Sequence, residues 1–144
     1  MPLARHAMYA WGTQIYVAPT WDRGDLWVAT LRHIAKEGGT YVIGVGMALH
    51  LNDIPDHLEF KKLYPEGTEW INTGGSCIVG PNGDVIAGPV YEKEEILYAE
   101  IDLGKTSAAK RMFDVAGHYA RPDVFEFGVN RKANPIIRTE PVSE

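Results

Sequence analysis

The sequence has very little cysteine, with Cys77 alone among 144 residues. A single cysteine excludes an intramolecular disulfide and a cysteine-rich zinc site, and it fits a reducing compartment. No uncharged run approaches the ~20 residues of a membrane span, and the opening residues, MPLARH, lack the apolar stretch of a signal peptide. These absences predict a cytoplasmic protein that has no membrane partner.

Clustered basic charge is also missing. Lys and Arg total 14 against 19 Asp and Glu, which gives a formal charge of −5. The densest basic group, Lys105 with Lys110 and Arg111, fits a solvated helix face, so the sequence predicts no nucleic-acid partner. His33 and Glu37 share a helical spacing of four, but a metal site needs three or four convergent ligands. We therefore predict no metal and no cofactor.

The composition that is present is that of an ordinary globular domain. Hydrophobic residues make up 45% of the chain and charged residues 23%, so disorder and coiled coil are excluded. A chain of this length buries roughly two thirds of the surface that its unfolded form exposes. The sequence predicts one domain with a sizeable core.

Helices and strands alternate over the first 49 residues. Apolar residues at helical spacing predict helices over residues 2–11 and 26–37, the second ending at Gly38-Gly39. Apolar runs at residues 13–19 and 41–49 predict strands that are buried on both faces. The order helix, strand, helix, strand with short links is typical of an α/β fold with locally parallel strands.

The second half of the sequence is less regular. Residues 50–70 show no sustained period, which predicts a surface excursion and a candidate interface or lid. The pair Asn82-Gly83 predicts a hairpin between strands at residues 76–80 and 84–89. The remaining predicted elements are a strand at residues 95–102, a short helix at residues 106–112 and a last strand at residues 124–129.

Few residues are candidates for chemistry. Cys77 lies in an apolar strand without a basic neighbour, so we interpret it as a small core side chain and not as a nucleophile. The polar residues of segment 117–123 are open to two interpretations, a functional loop or a structural clamp of Arg121 with Asp123. The stretch GVG at residues 44–46 lacks the third glycine of a phosphate-binding loop and falls within a strand.

Several segments carry a more specific signal when they are taken together. They are MPLAR at residues 1–5, IYVAPT at 15–20, RHIA at 32–35 with EG at 37–38, GGSC at 74–77 with GPNG at 80–83, GP at 88–89, ILYAEIDL at 96–103 and GHYARPDV at 117–124. In this order and spacing they resemble the C-terminal half of a nitrilase. The resemblance implies that residues 1–130 form the C-terminal half of a carbon–nitrogen hydrolase domain and that residues 131–144 form a tail.

The resemblance also implies a fold and an active site. The expected fold is about half of the family's four-layer α-β-β-α sandwich. Nitrilases use a Cys nucleophile, a Glu base and a Lys, and none of the three can be placed on this chain, so no catalytic residue is assigned. The family's nucleophile belongs to a Cys-Trp-Glu-Asn type motif that runs directly into the Met-Pro-Leu-Ala-Arg helix. The resemblance therefore places Met1 and Pro2 at the active-site edge and gives the substrate pocket the lining residues Pro19, Thr20, Trp21 and Asp22.

Three functions follow as alternatives. The first is a nitrilase fragment, inert alone, whose family reaction converts a nitrile to a carboxylic acid and ammonia through a Cys thioester. The second is a non-catalytic assembly subunit of a nitrilase oligomer, and the third is an independent small α/β binding domain. The expected partners are an N-terminal nitrilase half or full-length nitrilase subunits, and the expected assembly is a homo-oligomer.

Overall fold

The structure, a computed structural model, describes residues 1–133 and residue 137. Within them the helices are α1 (Pro2–Ala10), α2 (Gly24–Gly38) and α3 (Gly104–Met112), and the strands are β1 (Ile15–Thr20), β2 (Tyr41–Gly46), β3 (Ala48–His50), β4 (Trp70–Val79) and β5 (Val85–Tyr91). Two short 3-10 helices, Leu51–Asp53 and Glu59–Leu63, occupy the stretch between β3 and β4.

The strands form one mixed sheet in the order β1-β2-β4-β3, with β5 also paired to β4. Strands β1 and β2 are parallel and are joined through α2, as the alternation of elements predicted. The predicted hairpin is confirmed, because β4 and β5 are antiparallel neighbours and Gly83 in their turn has a φ of +90°. Among the described residues β1 pairs with β2 alone, so it is an edge strand of the sheet.

One face of the sheet packs against α1 and α2. Leu31 and Ile34 of α2 meet Val42, Cys77 and Val79 of the sheet in the main core cluster. The approach is close at β2, where a Cβ on Gly44 would lie 2.3 Å from Cδ1 of Leu31. Helix α2 ends as predicted, with Gly39 in the left-handed conformation at φ +56°.

The opposite face of the sheet is covered at one end only. At the covered end the Tyr41 hydroxyl donates to the carbonyl of Asp102 at 3.0 Å and accepts from its amide. At the other end Val17 and Val45 are 60% and 47% exposed. The prediction that both strands are buried on both faces is therefore wrong, because no layer in the described part of the chain covers this area.

The predicted single strand at residues 41–49 is also wrong. The chain breaks at Met47 into β2 and β3, and both pieces pair with the long strand β4. At the break the Ser76 hydroxyl bonds both the amide and the carbonyl of Gly46, each at 3.0 Å. These two hydrogen bonds take the place of the backbone hydrogen bonds between strands at the point where β2 stops pairing with β4.

Two further predicted strands are absent from the described residues. Residues 95–102 and 124–129 have no strand assignment, and the latter are exposed. In the first segment Leu97, Ala99 and Ile101 are half-buried while Tyr98 is 81% exposed. The alternation of an extended chain is thus present, but the described residues supply no neighbouring strand that forms backbone hydrogen bonds with the segment, so it does not form a strand.

The irregular excursion is confirmed as a surface segment. Its side chains are exposed or half-buried, and Lys61 ties it locally to the Ile54 carbonyl and to Asp56. No helix of the described residues is long and apolar enough to cross a bilayer. The predicted tail, residues 131–144, lies largely outside the described residues, and the boundary at residue 130 stays a prediction.

Candidate functional site

A cavity of about 380 Å³ lies at the free edge of β1, between the start of α1 and the side of α2. Three of the residues predicted for the active-site region, Met1, Pro19 and Thr20, contribute to its wall. The other lining residues are Arg5, Tyr16, Val17, Ala18, Trp27, Thr30 and Ile34. Arg5 and Trp27 were not predicted to line a pocket, because they approach β1 only after α1 and α2 pack onto the sheet.

The start of α1 supplies polarity at one end of this cavity. Met1 is the N-cap residue, Pro2 follows at the first helical position, and no side chain in the described part of the chain caps the helix. First-turn amides of a helix have no intrahelical acceptor, and the helix dipole favours a negative charge beside them. A negative charge placed beside the start of α1 would therefore be stabilised.

Trp21 and Asp22 lie just beyond the cavity, in the loop between β1 and α2. The Asp22 amide donates to Oγ1 of Thr20 at 3.0 Å, and the Arg23 amide donates to Oδ1 of Asp22 at 2.9 Å. The Trp21 side chain is 55% exposed. The structure thus brings Thr20 and Asp22 together, while neither Trp21 nor Asp22 forms part of the cavity wall.

Glu37 joins the two helices behind the cavity. Its carboxylate accepts a hydrogen bond of 3.0 Å from the Tyr9 hydroxyl and lies 3.5 Å from Nη2 of Arg5 and 3.6 Å from Nε2 of His33. Burial, reinforced by Glu37, raises the pKa of Tyr9 above its usual range. The predicted His33–Glu37 pair is therefore part of a structural contact between helices. Among the described residues no three His, Cys, Asp or Glu side chains are grouped as a metal site.

Cys77 is a core residue, as predicted. Its side chain is fully buried and packs in the cluster that joins α2 to the sheet. Burial raises the pKa of the thiol, which disfavours the thiolate that a nucleophile requires. Cys77 also lies outside the wall of the cavity beside β1.

The polar residues of segment 117–123 lie apart from this cavity. Arg121 makes a two-pronged contact with Asp123, through Nε at 2.8 Å and Nη2 at 2.7 Å, and this lowers the pKa of the Asp123 carboxyl. Arg121 borders a second cavity of about 410 Å³ together with His6, Phe125 and Phe127. The pairing across Pro122 favours the structural interpretation of this segment.

Comparisons with known proteins agree with one another. The family model for carbon-nitrogen hydrolase matches residues 1–111. A bifunctional nitrilase/nitrile hydratase, NIT4B, from Nicotiana tabacum is 43% identical over 150 residues, which cover 100% of this chain and 42% of that protein. An aliphatic nitrilase from Sinorhizobium fredii is 42% identical over 139 residues, covering 96% and 45% respectively. The chain thus spans less than half the length of these relatives.

Solved structures share the fold. A carbon-nitrogen hydrolase from Helicobacter pylori superposes with a TM-score of 0.64 at 24% identity, over 86% of this chain and 43% of that one. The NitFhit protein of C. elegans gives a TM-score of 0.66 at 23% identity, over 94% of this chain and 30% of that one. The α/β half-sandwich expected from the sequence is therefore confirmed as part of that architecture.

Proposed function

The chain belongs to the carbon-nitrogen hydrolase family, and on that premise we propose that it forms the C-terminal half of a nitrilase-type catalytic unit. In this proposal the chain supplies one sheet, the start of α1 and a wall of the substrate pocket. The nucleophile, the base and the lysine come from an N-terminal half. By itself the chain is inert toward nitriles.

The observation that carries the proposal is the uncovered apolar face of the sheet. Ile15, Val17 and Val45 lie on the face opposite the α1 and α2 layer, and all three are exposed. Apolar area of this kind is normally buried against another layer. In a four-layer sandwich a second sheet covers it, which gives the exposed residues a partner of matching chemistry.

The chemistry assigned to the complete unit divides between the two halves. A thiolate attacks the nitrile carbon to give a thioimidate, one water releases ammonia and leaves a thioester, and a second water releases the carboxylic acid. The contribution of this chain is electrostatic and steric. The start of α1 at Met1 and Pro2 favours the thiolate through the helix dipole. Pro19 and Thr20 border the cavity, and we assign Trp21 and Asp22, in the loop just beyond it, to the same substrate pocket.

The chain has no substitute for the missing nucleophile. Its one cysteine, Cys77, is fully buried and its pKa is raised. A buried neutral thiol can neither contact a substrate nor be deprotonated by a base. These properties support the proposal that hydrolysis depends on the other half.

An assembly role is the second candidate, and exposed apolar residues on the helices favour it. Leu3 and Trp11 of the α1 region and Leu26 of α2 are well exposed, which fits an interface with further nitrilase subunits. In either case we propose a cytoplasmic protein whose partners are a nitrilase half or full-length nitrilase subunits, assembled as a homo-oligomer. An independent binding domain would leave this apolar surface without a role.

Co-expression tests the proposal. An N-terminal nitrilase half that ends in its Cys-Trp-Glu-Asn segment is produced with this chain as a separate polypeptide. We expect the two to co-purify with weak ammonia release, because a break beside the nucleophile misplaces the sulfur, and ~1 Å of misplacement costs about a hundredfold in rate. Failure to co-purify would contradict the proposed half-sandwich. Co-purification with an already complete nitrilase instead would favour the assembly role.

A further inference from the structure

Asn72 in β4 connects the sheet to the loop that follows β1. Its side chain is fully buried. The side-chain Nδ2 donates to the carbonyl of Trp21 at 2.6 Å, and Oδ1 accepts from the amide of Gly74 at 3.0 Å. One amide side chain thus satisfies a backbone group of the loop and a backbone group of its own strand.

Arg23 makes the reciprocal connection from the loop to the sheet. Its guanidinium Nη1 donates to the carbonyl of Ile71, the residue before Asn72. The loop is therefore held by two hydrogen bonds to adjacent residues of β4, one donated by the strand and one by the loop. Such paired ties restrict both the distance and the orientation of the loop backbone.

A buried amide at this position needs an explanation beyond packing. Burying an amide is costly unless it is hydrogen-bonded, and both polar atoms of the Asn72 side chain have backbone partners. An apolar residue in its place would leave the Trp21 carbonyl and the Gly74 amide without these hydrogen bonds. The side chains of Trp21 and Asp22 meanwhile remain exposed. The hydrogen bonds thus fix the loop backbone and leave these two side chains free to meet another molecule.

We propose that Asn72 and Arg23 are positioning residues that hold Trp21 and Asp22 in place at the substrate pocket. This inference rests on the proposed function, since it assigns the loop to that pocket. Pocket side chains act at full strength only when their backbone is pre-organised. Asn72 lies 51 residues from Trp21 in sequence. It affects the pocket by holding the loop in place and does not contact the substrate itself.

Two variants each remove one of the two hydrogen bonds between the loop and β4. Asn72→Asp keeps the acceptor for the Gly74 amide but removes the donor to Trp21. Arg23→Met keeps the apolar stem of an exposed side chain and removes the donor to Ile71, so this variant remains informative if the buried substitution fails to fold. Ser76→Ala is the matched control, since it removes hydrogen bonds of β4 to Gly46 without touching the loop.

The first readout is ¹⁹F NMR of the chain labelled with 5-fluorotryptophan, with Trp21 assigned through Trp21→Phe. We expect the Trp21 signal to move toward its unfolded position in Arg23→Met and in folded Asn72→Asp, and to stay unchanged in Ser76→Ala. A Trp21 signal that does not move in Arg23→Met would overturn the inference. The measurement needs no catalytic activity.

The second readout is steady-state kinetics in an in-frame fusion to an N-terminal nitrilase half. Loss of either tie is expected to raise KM for the nitrile about five- to tenfold with kcat nearly unchanged. A merely structural role would lower the active fraction and hence kcat. If the wild-type fusion is active and KM is unchanged in both variants, the positioning role is contradicted, but the proposed function is not. An inactive wild-type fusion would contradict the proposed function and this role with it.

Discussion

The hydroxyl of Tyr9 donates a 3.0 Å hydrogen bond to Oε2 of Glu37 and so joins α1 to α2 behind the candidate site. Tyr9 is almost fully buried, and its ring lies against Gly38 at the end of α2. The position of α1, and with it that of the proposed active-site edge at Met1, depends on this contact.

Removal of the Tyr9 hydroxyl should destabilise the chain. Tyr9→Phe keeps the ring but leaves Glu37 without its shortest hydrogen bond, so we expect the free energy of unfolding to fall by about 1–3 kcal/mol. Urea unfolding followed by circular dichroism measures the change. Tyr64→Phe, on the surface excursion, is the control and should leave the unfolding midpoint in place.

The same contact predicts an alkaline loss of stability. Burial raises the pKa of Tyr9 in the folded state, so the folded chain holds this proton more tightly than the unfolded chain. Its contribution is complete below about pH 10, the unfolded pKa, and is lost as the pH rises toward the folded pKa. Unfolding at about pH 8 and about pH 10.5 should show a smaller decline in Tyr9→Phe than in the wild type. Equal declines would contradict the assignment.

A methyl group on Gly38 should also be harmful. Alanine near the end of a helix usually stabilises it, but a Cβ here would lie 2.4 Å from Cε1 of Tyr9. We expect Gly38→Ala to lower the free energy of unfolding by about 1–3 kcal/mol, as overpacking does. Gly128→Ala is the matched control, because no atom of the described residues lies within 4 Å of its Cβ position. A gain in stability at Gly38 would show that α1 is not held against α2 in this way.

Cys77 should be protected from thiol reagents until the chain unfolds. Its side chain is fully buried, and burial raises its pKa. Alkylation by iodoacetamide is therefore expected to follow the unfolding transition in urea. Cys77→Ser should lower stability by about 1–3 kcal/mol, because it buries a hydroxyl. Rapid alkylation of the native chain would overturn the core assignment.

The uncovered sheet face should make the isolated chain self-associate. Val17→Lys combined with Val45→Lys places charge on that face and should shift the chain toward monomer in size-exclusion chromatography with light scattering. Leu63→Lys, on the exposed excursion, is the control and should leave the distribution unchanged. A wild-type monomer that does not bind a hydrophobic dye would instead favour an independent small domain.

The sequence predicted those elements whose signals are local. Helix α2 with its cap at Gly39, the parallel pair β1 and β2, and the hairpin at Asn82-Gly83 all follow from short-range patterns. The predicted strand at residues 95–102 was wrong because alternation reports an extended chain, whereas a strand also needs a neighbour. The exposure of Val17 was missed for a related reason, since an apolar run does not show which faces are covered.

The candidate site was predicted in part. The residues that were not predicted are those whose partners are far away in the sequence. The segment that resembles nitrilases led to Pro19 and Thr20, which border the cavity beside β1. Asn72 carried no signal, because its partner Trp21 lies 51 residues away and an isolated asparagine in a strand has no characteristic pattern. Contacts of this kind arise from the pairing of elements, which single-sequence patterns do not encode.

Ammonia release by an in-frame fusion tests the central claim most directly. The N-terminal half of a nitrilase, through the Cys-Trp-Glu-Asn type segment expected of that family, is joined directly ahead of Met1 and assayed on a panel of nitriles and amides. We expect ammonia release by the fusion and none above background by the chain alone. Activity should disappear when the cysteine of that segment becomes alanine and should persist in Cys77→Ser. A soluble, folded fusion that is inactive on the whole panel, or release by the chain alone that Cys77→Ser abolishes, would contradict it.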